Sequence, residues 1–281
     1  MYRIFLFIFI VFFYSCASVV DSGNMKTQKT YIPPQINPNY TVISCIIDGI
    51  HFAKWQKQII ENVLQVAKKN NITFNFAVIA EQFQKSKDKN VFKIYEDNQD
   101  IFGVIANGWN YKNPNDDKRI GEFYDITMKN EIYYDKQEEK IKNMKDVFEK
   151  NNLAGATKIF LVPWYAGDEN TIKIAEKYGY KLIIQENIDK DNLIVNYNII
   201  KASKCYVNVP GRVNINDRDI DYMKKRIQGF MDKNIKRIYI VFHPVNFNSP
   251  EAVFNTDRFI NEISFKFKSA TVVFGKVGDG G

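Results

Sequence analysis

The sequence predicts an α/β fold: a distorted or incomplete (β/α) barrel of about seven parallel strands, each joined to the next through a helix. Three observations predict it. Short apolar runs rich in β-branched residues recur along the chain, the pattern of strands buried on both faces. Amphipathic helical stretches separate them, so the connections cross over and neighbouring strands run parallel. The runs end in polar or aromatic clusters, and the carboxyl ends of parallel strands are where such folds place their chemistry.

The first run, Thr41 to Ile47 (TVISCII), stops at Asp48-Gly49, a carboxylate followed by a turn-forming glycine. Trp55, Ile59, Ile60, Val63, Leu64 and Ala67 recur at helical spacing and predict a helix over Lys54 to Lys69. Ile72 to Ile79 (ITFNFAVI) completes a βαβ unit. A helical or loop segment around Lys85 to Tyr95 leads to a third strand, Ile101 to Ala106, which ends in Asn107-Gly108-Trp109-Asn110-Tyr111. Lys112 to Asp135 is turn-rich and reads as a long excursion over the rim. A helix over Lys136 to Lys150 presents Ile141, Met144, Val147 and Phe148 on one face. The strand Thr157 to Val162 follows and closes on Pro163-Trp164-Tyr165.

Asp168 is placed to cap a helix over Glu169 to Tyr178 that Gly179 stops. Lys181 to Gln185 reads as a strand, Leu193 to Tyr197 and Lys204 to Val209 as weaker ones. A helix over Ile220 to Lys233 precedes Arg237 to Phe242, a buried strand ending at His243-Pro244. Thr256 to Phe267 is the last helix and Thr271 to Phe274 the last strand. The alternative architecture is an open, doubly wound sheet.

A barrel domain over residues 40–281 is long enough to bury a large core, and 45% hydrophobic with 25% charged residues is ordinary for a globular protein. The 15% aromatic share suits either a well-filled core or a cleft whose rings stack on sugars. The net charge of +7 comes from lysines scattered among acids, as in KQEEKIKNMKDVFEK (Lys136 to Lys150), the pattern of a solvated helix face. No basic stripe with interleaved aromatics is present, so a nucleic-acid partner is not expected.

Residues 1–20 read as a targeting segment. Arg3 precedes Ile4 to Tyr14, an apolar run too short to span a bilayer but of signal-peptide length. Ser15-Cys16-Ala17-Ser18 follows and looks like a bacterial lipoprotein signal, with Cys16 as the lipidated residue; an ordinary secretory signal and an uncleaved anchor also fit. Residues 21–39, polar and carrying Pro33, Pro34 and Pro38, read as a tether. The expectation is an exported, membrane-anchored or secreted protein of the bacterial cell envelope. Export would permit a disulfide between Cys45 and Cys205, although buried free thiols are the simpler state.

The clusters at four strand ends are Asp48-Gly49, ANGWNY (Ala106 to Tyr111), VPWYAGDENT (Val162 to Thr171) and VFHPVNF (Val241 to Phe247). Their order and spacing resemble the polysaccharide deacetylase superfamily, the NodB-like carbohydrate esterases, over residues 40 to roughly the end. The resemblance implies a distorted barrel that removes acetyl groups from amino sugars. In that family the first strand ends in two aspartates, a general base and then a metal ligand. The third strand carries two metal-binding histidines separated by three residues, and a late strand carries a general-acid histidine.

Carried over by position, the base is Ile47, the histidine ligands are Asn107 and Tyr111, and Asp48 is the one remaining metal ligand. His243 takes the general-acid position. A catalytic zinc needs three protein ligands and an open position. An amide oxygen is a poor zinc ligand, and a phenol with a pKa of about 10 would have to lose its proton. Without activated water or a base, hydrolysis has no route.

The expectation is therefore a catalytically silent, deacetylase-like protein that binds a glycan or another cell-envelope component and has no cofactor. Asp48 and His243 are the remnants of its catalytic site, and Asn107, Trp109, Tyr111, Pro163, Trp164 and Tyr165 line its cleft. The alternatives are an active hydrolase with zinc or another divalent metal in a rearranged site, and a structural surface lipoprotein. In the hydrolase, His51 could join Asp48 as a ligand; otherwise His51 reads as a solvent-exposed loop histidine.

Overall fold

Strand β1 (Thr41–Ile50) is central because its residues are apolar on both sides of the pleat, so it needs cover on both faces and pairing along both edges. In this computed structural model, which describes residues 41–184, 199–201, 206–267 and 272–276, that is how it is placed. In chain order the other strands are β2 (Phe74–Val78), β3 (Phe102–Ala106), β4 (Tyr124–Asp125), β5 (Asn130–Glu131), β6 (Ile159–Leu161), β7 (Lys181–Ile184), β8 (Ile199–Lys201), β9 (Tyr206–Asn208), β10 (Arg237–Phe242) and β11 (Val272–Phe274). The main sheet runs β8-β7-β6-β3-β2-β1-β10-β9, with β11 beside the first residues of β1, and every pair in it is parallel. No pairing among the described residues joins β8 to β9, so the barrel is incomplete. This agrees with the architecture expected from the sequence.

The side-chain period of two divides the strands into two faces. Ile43, Cys45 and Ile47 of β1, Phe74, Phe76 and Val78 of β2, Val104 and Ala106 of β3, and Ile238, Ile240 and Phe242 of β10 join the large core that also holds the helices. Ile46, Ala77, Ile105, Ile159, Leu161, Tyr239 and Val241 form a second, smaller core on the opposite, inner face. Two residues beyond Ile46, Ile105, Leu161 and Val241 come Asp48, Asn107, Pro163 and His243. The strand pleat thus carries the chemistry-bearing residues to the mouth of the interior.

The helices are α1 (Lys57–Asn70), α2 (Ala80–Ser86), α3 (Lys89–Asp97), α4 (Tyr134–Lys150), α5 (Glu169–Lys177), α6 (Asp217–Asp232) and α7 (Pro250–Phe267). Asp168 caps α5 by accepting from the Thr171 N–H at 2.9 Å, and its carboxylate also takes the side-chain amide of Gln137 at 2.9 Å, tying α4 to α5 in the interior.

Several boundaries differ from the expected ones. β1 continues through Asp48-Gly49 to Ile50, with a register shift against β2 between Ile47 and Ile50. The segment around Lys85 to Tyr95 is two helices, α2 and α3, divided at Lys87-Asp88, where Asp88 caps the second. α7 begins at Pro250 rather than Thr256, because proline suits a first helical position and Ser249 Oγ accepts from the Ala252 N–H at 3.2 Å. The excursion after β3 contains the antiparallel pair β4–β5. Residues 1–40, with Cys16, lie outside the described residues, as do Cys205 and the strand expected at Leu193 to Tyr197.

Cys45 is a free, fully buried thiol, and burial pushes its pKa up to about 12. A raised pKa keeps the thiol protonated through the mildly alkaline range, so little nucleophilic thiolate forms. Peptide mapping after alkylation at pH 8 is expected to find Cys45 unlabelled in the folded protein and labelled in denaturant.

Candidate functional site

Asp48, Asn107 and Tyr111, spread over two strand ends and the loop between, come together on the inner rim. The Asn107 side-chain amide donates to Asp48 Oδ1 and to the Tyr111 hydroxyl, and that hydroxyl donates to the same Asp48 Oδ1 at 2.7 Å. A carboxylate only accepts, so the amide nitrogen of Asn107 must be the atom that faces it. Asn107 is buried and Asp48 half-buried, and Gln56 fixes the loop behind Asp48 by donating to the Gly49 carbonyl at 3.2 Å and accepting the His51 N–H at 3.0 Å.

This set of donors does not fit a zinc ion. Two hydrogen-bearing groups point at the oxygen where the family places its metal, and among the described residues no cluster of three or more His, Cys, Asp and Glu side chains could hold one. Ile47, at the base position, is wholly buried in the large core.

The loop that carries Tyr111 is held from beneath by Glu122, a residue that sequence reading missed. Its buried carboxylate accepts the backbone N–H groups of Trp109 (3.0 Å), Asn110 (3.1 Å) and Tyr111 (3.1 Å), and Lys140 Nζ lies 3.2 Å away. Lys140 also donates to Asn110 Oδ1 at 2.7 Å and to the Lys112 carbonyl at 2.8 Å. Burial pushes the Glu122 carboxyl up from its ordinary value, while the Lys140 ammonium and the N–H groups of Asn110 and Tyr111 pull it down. Gly108 makes the approach possible. Its φ is +77°, and a Cβ there would run into Pro163 and the Glu122 carboxylate. The only hint in the sequence was a lone glutamate beside an apolar residue, Glu122-Phe123, inside a polar stretch.

The rings fall on different sides of this frame. Trp164 follows β6, is 54% exposed, and lies 6.3 Å from Tyr111 between ring centroids. Tyr111 and Trp164 both have left-handed backbones, with φ of 65° and 57°, which is uncommon for bulky residues and costs of order 1–3 kcal/mol each. Trp109 is half-buried and packs on the large core, and Pro163 is buried against Gly108. Tyr165 closes the short 3₁₀ turn Pro163–Tyr165.

His243 stands one residue beyond the Ile47–Phe242 register pair, level with Asp48 on the neighbouring strand. Its Nε2 lies 2.9 Å from Asn208 Oδ1, and its backbone N–H donates to Asn246 Oδ1 at 2.8 Å. His51 is buried rather than exposed, and its ring meets Trp55 edge-on at 5.5 Å. Burial lowers its pKa, and a bond to the Gly49 backbone opposes that shift.

This is the fold of the polysaccharide deacetylases, the CE4 carbohydrate esterases. The chain is similar to a candidate polysaccharide deacetylase from Mycobacterium smegmatis, at 11% identity and a TM-score of 0.57, over 88% of this chain and 91% of that one. It is also similar to a peptidoglycan N-acetylglucosamine deacetylase crystallised with an N-oxidanyl benzamide, at 14% identity and a TM-score of 0.51, over 86% of this chain and 87% of that one. A CE4 family pseudoenzyme from Bacillus anthracis matches over 84% of this chain at 12% identity and a TM-score of 0.48, and the chain spans 64% of that protein's length. No protein-family model and no curated protein matches the chain.

Breaking the buried Glu122–Lys140 pair leaves a stranded ammonium and three unsatisfied N–H groups. Glu122→Ala is expected to cost about 3–5 kcal/mol, read from the shift of the denaturant midpoint.

Proposed function

We propose that this chain is a deacetylase-like protein that binds a glycan at the rim of its barrel and does not hydrolyse it, held at the cell envelope by its N-terminal segment. The observation that carries the reading is the state of Asp48 Oδ1, which accepts from both Asn107 and Tyr111. In the family the corresponding carboxylate would meet a cation; here neutral amide and phenol hydrogens take that place. Water at this rim would lack a Lewis acid to lower its pKa, and Ile47, at the position of the family's base, is buried in the core and has no group to take a proton.

Binding needs less than turnover. An exposed indole beside a half-buried phenol and carboxylate is what a sugar ring requires: a flat apolar face for its C–H groups and an acceptor for its hydroxyls. The envelope address rests on the apolar run Ile4 to Tyr14 and on Cys16 behind it.

Two measurements test the reading. Asn107→His and Tyr111→His together would restore the ligand types around Asp48, and the double variant is expected to take up one zinc per chain by metal analysis, with the wild type taking up none. A wild type that binds tight stoichiometric zinc and deacetylates chitin oligomers would overturn the proposal. Trp164→Gly removes the exposed ring and relieves its left-handed backbone. It is expected to weaken glycan binding at least about 10-fold by calorimetry while leaving the melting temperature unchanged or higher.

A further inference from the structure

The donor and acceptor inventory of the rim narrows the ligand beyond "glycan". Asn107 Nδ2 has two hydrogens; one goes to Asp48 Oδ1 and the other to Tyr111 Oη. The single hydroxyl hydrogen of Tyr111 goes to Asp48 Oδ1 as well. These three bonds turn the amide hydrogens of Asn107 and the hydroxyl hydrogen of Tyr111 inward. Asp48 Oδ2 and Asn107 Oδ1 remain, both acceptors, and no described residue donates to either. No Lys or Arg forms an ion pair with Asp48 among the described residues, whereas the other buried carboxylate of this region, Glu122, has Lys140. The rings of Tyr111 and Trp164 stand beside the carboxylate, and aromatic faces attract cations.

A cluster that offers two acceptors and one negative charge, with ring faces beside it, is complementary to a group that brings several N–H donors and a positive charge. An N-acetyl group matches less well: it brings one N–H where two acceptors wait, and no charge to meet the carboxylate. A protonated primary amine brings three N–H donors and the missing charge.

We propose that the rim recognises an amino sugar whose amine is free and protonated, such as a de-N-acetylated glucosamine unit, in preference to its N-acetylated form. The proposal rests on the glycan-binding reading and names the sugar class for that same site. The net charge of +7 works against a general attraction of polycations, so any preference has to come from the site itself.

The experiment is calorimetric titration of the full chain at pH 6 with four oligomers of matched length: the tetramer of glucosamine, the tetramer of N-acetylglucosamine, cellotetraose and tetralysine. The expected result is at least about 10-fold tighter binding of the glucosamine tetramer than of any other, a preference that weakens in salt. Asp48→Asn, checked for folding by circular dichroism, is expected to erase it. An N-acetylated tetramer that binds as well or better overturns the proposal and leaves the glycan reading standing. Tetralysine binding as tightly as the glucosamine tetramer overturns the assignment to a sugar. No binding of any of the four overturns both, and needs no variant to interpret.

Discussion

Glu122 is fully buried from bulk solvent, and the chain supplies partners for its carboxylate: three successive backbone N–H groups from Trp109, Asn110 and Tyr111, and the Lys140 ammonium. That arrangement determines the path of the loop, and the path of the loop determines where Tyr111 stands. Gly108 and Pro163 close on each other in the space that a Cβ would fill, so β3 and β6 meet the loop at a fixed separation. The cost of desolvating the charge, several kcal/mol for an ion without partners, keeps the loop from choosing another course. The polar cluster above it is preorganised by a group that no ligand would touch.

The strand pleat does the rest. Because residues alternate between the two faces, the inner-face series of β1, β3, β6 and β10 delivers Asp48, Asn107, Pro163 and His243 to one mouth. The same alternation buries Ile47 among the helices. The rim of this deacetylase-like frame thus presents acceptors around a single carboxylate, Asp48, bonded by the Asn107 amide and the Tyr111 hydroxyl. His243 keeps its place beside them, paired with Asn208.

Much of this was legible in the chain itself, and the reasons differ by residue. Buried parallel strands are near-continuous apolar runs, so their existence and order could be read directly, and Asp168 as a cap followed from its place before Glu169. The division of α2 from α3 was hidden because both are short and their polar joint at Lys87-Asp88 resembles any solvated stretch. The gathering of Asn107 and Tyr111 around Asp48 was foreseeable only through resemblance, since spacing alone does not say which strand ends are neighbours. Glu122 was out of reach: three of its partners are backbone groups, which leave no mark on a sequence, and the fourth, Lys140, lies eighteen residues away on another element. The burial of His51 likewise depends on Gln56 and Trp55 folding back over the end of β1.

The first strand also sets the order in which the molecule can be completed. β1 leads the fold, yet the partners along its opening residues are β10 and β11, supplied by the far end of the chain: Val42 lies beside Arg237 on one edge and Val273 on the other. Until those segments arrive, the opening of β1 has nothing to pair with. Among the described strands the first in chain order must therefore wait for the last, a pairing of high contact order that slows folding and holds a sticky edge open in the meantime.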